Sequence, residues 1–485
     1  MTTSWEPNAR QLRSFYQLIA NHFLIVITLP LVTTIIIAIW PGADKILVLP
    51  LAIRPVHLFL ATFVPTATIT VYLILRPRDV YLVNYACFRP DSNWRMPLAS
   101  YIEHARLMHF NDKHISQFVA RVLERSGFGN ETSVPPSFHY MLPLFGLDKT
   151  RLEAEQVIFR TIDDLLSKTC ISPHAIDMLI VNCSIFNPTP SLADMIVRRY
   201  RLRGDIHSIQ LSGMGCSAGL IAVGLATSLL QTAPFGAHAL VVSTELFTGG
   251  YYKGSKLAMH MTNILFRTGG AAVLLSTSKA KARFQLMHVV RTSTSAQDNA
   301  YKSVIYEEDE EGNRGVNLSK DIMAIAGKAL KANITTIGPL VLPASEKLSY
   351  FLSLIARKML SGRTTLYIPD FRLAFDHFCI HAGGRAVIDA VQSSLNLSDE
   401  HVEPSRMTLH RFGNTSSSTL WYELAYSEAK GRIKKGGRVW MIGFGSGYKC
   451  ISAVWKCIKP VQDVDRAWEN CINRYPVHIP KGKKV

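Results

Sequence analysis

Residues 206–230 read IHSIQLSGMGCSAGLIAVGLATSLL, and the rest of the chain is organised around this stretch. Ile206–Leu211 is a short extended run, and the two glycines after it allow a tight turn that other residues resist. Residues 220–230 are apolar nearly all round, which predicts a helix buried inside a domain. Cys216 lies at the N-terminus of that helix, where amide groups and the helix dipole are expected to lower the thiol pKa. Cys216 is therefore a candidate nucleophile; the alternative is a buried structural cysteine.

The composition limits the class of partner. The chain has 485 residues and a net charge of +17, which predicts an acidic partner such as nucleic acid, an anionic membrane or a phosphate-bearing ligand. Because the sequence contains no nucleic-acid signature, zinc-finger spacing or Walker loop, the membrane and the ligand are preferred and no nucleic acid partner is expected. Its eight cysteines lack paired spacing, which favours a reducing compartment over a disulfide framework.

Two apolar segments precede the alternating pattern described below. Phe23–Ile39 and Leu58–Leu75 contain no charged residue and approach the length of about 17 to 25 residues that a membrane-spanning helix needs. They predict a two-helix transmembrane hairpin over residues 22–75 after a cytosolic segment, 1–21; the alternative is a pair of buried helices in a soluble domain. The tail KGKKV has the form of an endoplasmic reticulum retrieval signal, or is simply a solvated basic end.

Strands and helices alternate from residue 151 onward. Strands at Met178–Cys183, Ala239–Ser243, Leu373–His381 and Val439–Gly443 are separated by helical patterns, which predicts an α/β sheet covered by helices on both faces. The layout occurs twice and indicates a duplicated fold. The predicted divisions are a leading region at 76–150, an N-terminal half at 151–300, a C-terminal half at 301–460 and a basic tail at 461–485.

Two further stretches carry chemistry. His381 ends a strand and is followed by two glycines that open a helix, the place where α/β sheets put ligand groups. Asn414 lies in a Gly-Asn turn, and the residues 415–417 after it are candidate N-caps. Gly445, in the segment GFGSG, offers backbone N–H groups to a developing oxyanion.

Two more histidines, His377 and His410, are candidates for supporting roles. His377, Cys379 and His381 share one predicted strand, but no fourth ligand is near them in the sequence, so no metal site is predicted.

The motifs GMGCSAG at 213–219, HFCIHAGGRAVID at 377–389 and LHRFGNTSSSTLWYELAY at 409–426 resemble those of the plant 3-ketoacyl-CoA synthase family. Members of this family are the condensing enzymes of very-long-chain fatty acid elongation for wax, cuticular or seed lipids. The segments SIFNPTPSLADMIV and RPRDVYLVNYACF agree with the resemblance. It implies a thiolase-like duplicated αβαβα layered fold, an endoplasmic reticulum membrane anchor and a catalytic domain that faces the cytosol.

The resemblance also implies residue roles and partners. Cys216 takes the acyl group from acyl-CoA, and His381 and Asn414 hold the thioester oxygen of malonyl-CoA while carbon dioxide leaves. A thiolate forms the covalent intermediate, and neutral donors suit the enolate oxygen. Gly445 belongs to the loop at the other oxyanion. No metal or redox cofactor is expected. The expected partners are the elongase reductases and dehydratase and a second copy of the chain.

Some positions depart from the family pattern, namely Ser293, the segment 246–250 and the segment Tyr251–Asn263. The segment Tyr251–Asn263 motivates an alternative interpretation, a weakly active or inactive paralogue that modulates the elongase complex. A third hypothesis is a soluble polyketide-type condensing enzyme, against which the two apolar segments argue.

Overall fold

The computed structural model describes residues 77–460 except 111, 142, 360–366 and 368, residues 464–480, and five helical positions within 32–68. The chain divides into two compact units, Met1–Arg78 and Asp79–Val485. Apart from those five positions, the hairpin predicted over residues 22–75 lies outside the described residues, and so does the tail motif at 481–485.

The second unit contains an α/β arrangement of strands and helices. The strands are β1 (Tyr81–Cys87), β2 (Met178–Asn182), β3 (His207–Leu211), β4 (His238–Glu245), β5 (Gly269–Ser276), β6 (Phe284–Ser293), β7 (Val304–Glu308), β8 (Arg314–Leu318), β9 (His377–Ile380), β10 (Arg438–Gly445) and β11 (Lys449–Cys457). The longer helices are α1 (Leu98–Met108), α2 (Lys113–Ser126), α3 (Leu147–Thr169), α4 (Leu192–Tyr200), α5 (Ala218–Thr232), α6 (Leu257–Leu265), α7 (Ile322–Val341), α8 (Ala344–Met359), α9 (Arg385–Ser394), α10 (Asp399–Phe412) and α11 (Thr419–Ala429).

Nine strands form one mixed sheet in the order β3-β2-β4-β5-β1-β6-β11-β10-β9. In the N-terminal half, β2 is parallel to β4, β4 is antiparallel to β5, and β5 is antiparallel to β1. The C-terminal half repeats this series with β9, β10, β11 and β6. The antiparallel pair β1–β6 joins the halves at the centre. The topology is therefore duplicated, as the sequence predicts.

Alternating side chains divide the sheet between core layers, because successive residues of a strand point to opposite faces. In β4, Ala239 and Val241 belong to the central core with α5 and α11, whereas Leu240 and Val242 pack with α3 and α4. On the C-terminal half, α7 and α9 cover the outer face. Helices α5 and α11 contact strands of both halves, so they form a middle layer between the N-terminal and C-terminal strands of the sheet.

The central helix resembles a membrane span in composition. Among the described residues, the stretch Gly215–Thr232 alone has the length and apolar character to cross a bilayer, and half of it is buried within the body. Ala226 and Leu230 of this stretch are fully buried in the central core. This helix is therefore the buried core helix that the sequence predicts.

One predicted element is shorter than expected. The strand predicted over Leu373–His381 is a 3-10 turn at Phe371–Leu373 followed by β9 at His377–Ile380. The side chain of Asp370 accepts a hydrogen bond from the Arg372 N–H and stabilises the turn. The apolar residues of this segment are compatible both with one long strand and with a 3-10 turn followed by a short strand, so the sequence pattern alone does not distinguish the two.

Candidate active site

Cys216 lies in a 3-10 turn between β3 and α5. This turn, Gly215–Ser217, is called the Cys216 turn below. Gly213 and Gly215 have φ values of 67° and 62°, which glycine adopts at little cost. The Gly215 N–H donates to Ser184 Oγ at 2.9 Å, which ties the turn to the end of β2. The predicted strand–turn–helix unit is confirmed.

A second 3-10 turn, Ser416–Ser418, precedes α11 and is called the Ser416 turn. Ser416 Oγ donates to the Cys216 sulfur at 3.3 Å. The Ser416 N–H donates to Asn414 Oδ1 at 2.8 Å, so the Asn414 NH₂ group is oriented as a donor and reaches the Gly383 carbonyl at 3.2 Å. The residues expected to cap α11 do not do so, because the Ser416 turn directs them elsewhere.

The two turns lie against each other at the centre of the duplicated fold. Each precedes a central helix, α5 in one half and α11 in the other. A Cβ added at Gly219, in the first turn of α5, would overlap the Ser417 carbonyl oxygen. The absence of a side chain at Gly219 therefore permits the close approach that brings Ser416 to Cys216.

His381 follows β9 at the same end of the sheet. The backbone N–H of His381 donates to the Ile442 carbonyl at 2.9 Å, and the side chain is buried. Burial lowers the His381 pKa to about 4, so the imidazole is neutral at pH 7. Its Nδ1 has no hydrogen-bond partner among the described residues.

Gly383 links this histidine to Asn414. Its N–H donates to the His381 carbonyl at 2.8 Å, and its own carbonyl accepts from Asn414. The structure thus brings Cys216, Asn414 and His381 into one connected group.

Gly445 ends β10 and lies against the Cys216 turn. An added Cβ at Gly445 would overlap Ser217 Oγ, and Ser446 Oγ donates to the Gly213 carbonyl at 3.0 Å. The loop after β10 is therefore held beside the nucleophile candidate.

The structure does not bring the two supporting histidines to this group. His377 begins β9 and pairs with Val439 of β10. It precedes His381 by four residues, which corresponds to about 13 Å along an extended strand. The His410 ring lies 5.9 Å from the Tyr475 ring and packs on Gly129. Both lie in other parts of the C-terminal half.

The shift of the Cys216 pKa is opposite to the expectation from the sequence. The pKa is raised to about 12, mainly by burial; hydrogen bonds from Ser416 and Asn414 lower it, and the nearby Glu245 carboxylate raises it. Cys216 precedes the first residue of α5, Ala218, and desolvation outweighs the stabilisation expected from the helix N-terminus. The free thiol therefore needs a base to become a thiolate.

Sequence reasoning missed Glu245, although an acidic residue at the end of an apolar strand was a visible signal. Its carboxylate accepts from the Ser184 and Ile185 N–H groups, both at 3.1 Å, and from Cys183 Sγ at 3.3 Å. Since Ser184 in turn accepts from Gly215, Glu245 positions the Cys216 turn through the Ser184 segment.

The segment Tyr251–Asn263, which departs from the family pattern, is well bonded. Asn263 accepts from the Tyr252 N–H at 2.9 Å and donates to the Tyr252 carbonyl at 2.7 Å. The Tyr252 hydroxyl donates to Asp309 at 2.6 Å. Tyr251 stacks on Phe145 with ring centroids 4.8 Å apart.

Solved structures share this fold. A fungal type III polyketide synthase matches with a TM-score of 0.63 and 16% identity, covering 78% of this chain and 99% of that one. A type III pentaketide synthase from Neurospora crassa matches with a TM-score of 0.62 and 17% identity over the same shares. The protein therefore has the thiolase-like α/β fold of the type III polyketide synthases.

Sequence comparisons identify the family within that class. The model of the family described as FAE1/Type III polyketide synthase-like protein matches residues 72–359, and that of the 3-oxoacyl-[acyl-carrier-protein] synthase III C terminal matches 374–457. From Arabidopsis thaliana, 3-ketoacyl-CoA synthase 5 is 52% identical, covering 97% of both chains, and 3-ketoacyl-CoA synthase 6 is 51% identical, covering 97% of this chain and 96% of that one. The chain belongs to the 3-ketoacyl-CoA synthase family, which confirms the resemblance of its motifs.

Proposed function

We propose that the protein is a 3-ketoacyl-CoA synthase that condenses a long-chain acyl-CoA with malonyl-CoA. The observation that carries this proposal is the connected group of Cys216, Asn414 and His381 at the centre of the fold. Family membership over nearly the whole chain supports the same reaction. The reaction consumes one acyl-CoA, one malonyl-CoA and one proton, and it releases a 3-ketoacyl-CoA, CoA and carbon dioxide.

The first step transfers the acyl group to Cys216. We assign acceptance of the thiol proton to His381, whose Nδ1 has no hydrogen-bond partner among the described residues, because burial keeps the thiol protonated at neutral pH. The thiolate attacks the acyl-CoA carbonyl, and the C–S bond to CoA breaks. The CoA thiolate leaves with the proton held by His381, so the histidine is neutral again.

The second step makes the carbon nucleophile. Malonyl-CoA loses carbon dioxide, and the electron pair of the broken C–C bond becomes an enolate on the thioester. The Asn414 NH₂ group, oriented by the Ser416 N–H, donates to the enolate oxygen together with the His381 imidazole. Neutral donors are suited to this oxygen because no buried charge has to be compensated before the enolate forms.

The third step forms the product. The enolate carbon attacks the acyl thioester on Cys216, and backbone N–H groups of the Cys216 turn and the Gly445 loop stabilise the oxyanion. Collapse of this intermediate breaks the C–S bond, and the released thiolate takes up the proton that balances the reaction. The two thioesters supply all the chemistry, so the proposal includes no metal or redox cofactor.

A basic groove next to this group supports the binding of CoA phosphates there. It has a volume of about 550 Å³, and Arg121 and Arg125 of α2 and Arg385 of α9 line it. Leu265 and Gly384 also line it, and the Leu265 carbonyl accepts from the Asn414 N–H. We infer that phosphate binds these guanidinium groups while the pantetheine arm reaches Cys216.

The groove assignment predicts a binding defect. Arg121→Ala and Arg125→Ala should each raise KM for acyl-CoA about tenfold, since a charge-assisted hydrogen bond contributes roughly 1.5–3 kcal/mol. The kcat should change little because neither residue touches the reacting atoms. Arg198→Ala, an exposed arginine of α4, is the control. An unchanged KM in both groove variants would contradict the assignment.

We also propose where the reaction occurs. The two uncharged segments Phe23–Ile39 and Leu58–Leu75 and the tail KGKKV support an endoplasmic reticulum membrane anchor with the catalytic domain in the cytosol. In this setting, reductases and a dehydratase would take up the 3-ketoacyl-CoA, and a second copy of the chain would form a homodimer.

The test is acyl-CoA-dependent release of carbon dioxide from malonyl-CoA. Microsomes containing the full chain are compared with microsomes containing Cys216→Ala. We expect release from the first and background release from the second, because the covalent intermediate cannot form without the thiol. Equal background release from both, with the protein present and folded, would contradict the function.

A further inference from the structure

Helix α8 (Ala344–Met359) presents an apolar stripe to the outside of the molecule. Phe351 and Leu352 lie three and four residues after Leu348, Ile355 lies four and three residues after them, and Met359 lies four residues after Ile355, which places all five on one side of a helix. Their exposed fractions are 58%, 58%, 54%, 39% and 78%. An amphipathic helix of a globular protein normally turns this side to the core.

The polar side of α8 is the one that faces the body. Glu346 is buried and accepts hydrogen bonds from the Tyr367 hydroxyl at 2.9 Å and from the Asp370 N–H at 2.8 Å. Ser353 Oγ accepts from the Tyr367 N–H at 3.2 Å. These bonds hold the helix in an orientation that keeps the apolar stripe exposed.

The charges beside the stripe are all positive. Lys347, Arg357 and Lys358 are exposed, and none of them has an ion-pair partner among the described residues. Glu346, the helix's single acidic residue, is buried. The exposed surface of α8 therefore combines large apolar side chains with cations and has no carboxylate of its own.

We infer that α8 docks on an anionic lipid membrane, with the apolar stripe in the headgroup–acyl boundary and the three cations at the phosphates. Apolar area together with basic residues is the combination that binds helices to such surfaces. A second copy of the chain fits less well, because a two-fold contact through α8 would bring the same three cations of both copies together. The inference does not depend on the proposed reaction.

The test uses the full chain reconstituted in phosphatidylcholine vesicles with phosphatidylserine. Phe351 is replaced by the photoreactive p-benzoylphenylalanine, and the matched control carries the same replacement at Phe235, which is 77% exposed in the loop after α5. On illumination, position 351 should form phospholipid adducts detected by the mass of the intact protein, and position 235 should not. Comparable adduct yields at both positions, or crosslinks from 351 to another protein chain, would overturn the inference.

A second variant separates docking from chance proximity to lipid. The changes Lys347→Gln and Lys358→Gln are made one at a time in the protein that carries p-benzoylphenylalanine at position 351. Each should reduce the adduct yield by about fivefold, the factor that corresponds to the attraction of one cation to an anionic surface. The reduction should disappear in vesicles of phosphatidylcholine alone. A yield that is unchanged in phosphatidylserine vesicles would overturn the inference, while carbon dioxide release by the same samples reports separately on the proposed function.

Discussion

The Cys216 sulfur lies among groups with opposite effects on its charge. Burial and the Glu245 carboxylate favour the neutral thiol, whereas the Ser416 hydroxyl and the Asn414 amide favour the thiolate. These groups come from both halves of the chain. The reactivity of the thiol is therefore determined by a few individual residues that surround the sulfur atom.

Removing the Ser416 hydroxyl should raise the thiol pKa. In Ser416→Ala the thiolate loses one hydrogen-bond donor. A hydrogen bond to a charged group contributes roughly 1.5–3 kcal/mol, so its loss should raise the pKa of the thiol by about one to two. The rate of inactivation by iodoacetamide at about pH 8 measures this: because only the thiolate reacts, the rate should fall about tenfold or more. Ser418→Ala, whose hydroxyl donates to the Thr415 carbonyl instead, is the control. An inactivation rate that is unchanged or higher in Ser416→Ala would exclude Ser416 as a thiolate donor.

We expect the Tyr251 ring to limit the length of the acyl chain. It lines a cavity of about 20 Å³ with Ile185 and Glu245, and Ile185 follows the serine that holds the Cys216 turn. The volume of this cavity is smaller than a long alkyl chain needs. Tyr251→Ala should shift the preference toward longer acyl-CoA, because it removes a ring from the cavity wall. Rates measured across acyl lengths test this, with Tyr251→Phe as the control that keeps the ring. The same length preference in all three proteins would show that the chain runs elsewhere.

At the scale of elements, the contact between the two central helices depends on one small residue. Gly219→Ala should push the Cys216 turn away from the Ser416 turn, because its Cβ would meet the Ser417 carbonyl oxygen. We expect at least a tenfold loss of kcat and a destabilisation of roughly 1–3 kcal/mol from overpacking.

The matched control is Gly327→Ala in α7, where no atom of another element in the described part of the chain lies within 4 Å of the added Cβ. In a helix interior that change should be neutral or stabilising by up to about 1 kcal/mol. Steady-state rates and unfolding free energies of both variants decide the point. Equal rates in the two variants would show that the turns tolerate separation.

The element predictions differ in how well they match the structure. Helix α5 and strand β10 lie where periodicity predicts them, because their apolar patterns are long and continuous. Helix α10 and strand β11 were not predicted. Helix α10 contains Pro404, which normally signals a helix end, yet it runs from Asp399 to Phe412 behind a Ser398 cap. The cap was the signal that could have identified it.

At the scale of the whole molecule, a buried ion pair lies at the joint between the two halves. Arg283 lies just before β6, Glu428 belongs to α11, and the Tyr85 hydroxyl of β1 donates to the same carboxylate. Both charged side chains are about nine-tenths buried. The pair therefore lies where the N-terminal and C-terminal series of strands meet.

Glu428→Gln should destabilise the protein by about 3–5 kcal/mol, because it leaves the Arg283 charge buried without its partner. Glu469→Gln is the control: its partner Arg89 is 43% exposed, and an exposed pair contributes about 0–1 kcal/mol. Denaturant unfolding of the detergent-solubilised full chain compares the two. A loss in Glu428→Gln no larger than in the control would mean that the pair adds nothing to the joint between the halves.

The sequence by itself determined the local units: the strand–turn–helix around Cys216, the histidine at the end of β9 and the turn that contains Asn414. Turn glycines and apolar periodicity depend on only a few neighbouring residues, so the local structure that they specify can be predicted without knowledge of the fold. The tertiary structure alone decided which of these units meet. It brought Ser416 to the sulfur of Cys216 and left His377 and His410 apart from it. It also reversed the expected shift of the thiol pKa and turned the apolar stripe of α8 outward. Burial and side-chain direction depend on contacts between residues far apart in the chain, and no local pattern contains them.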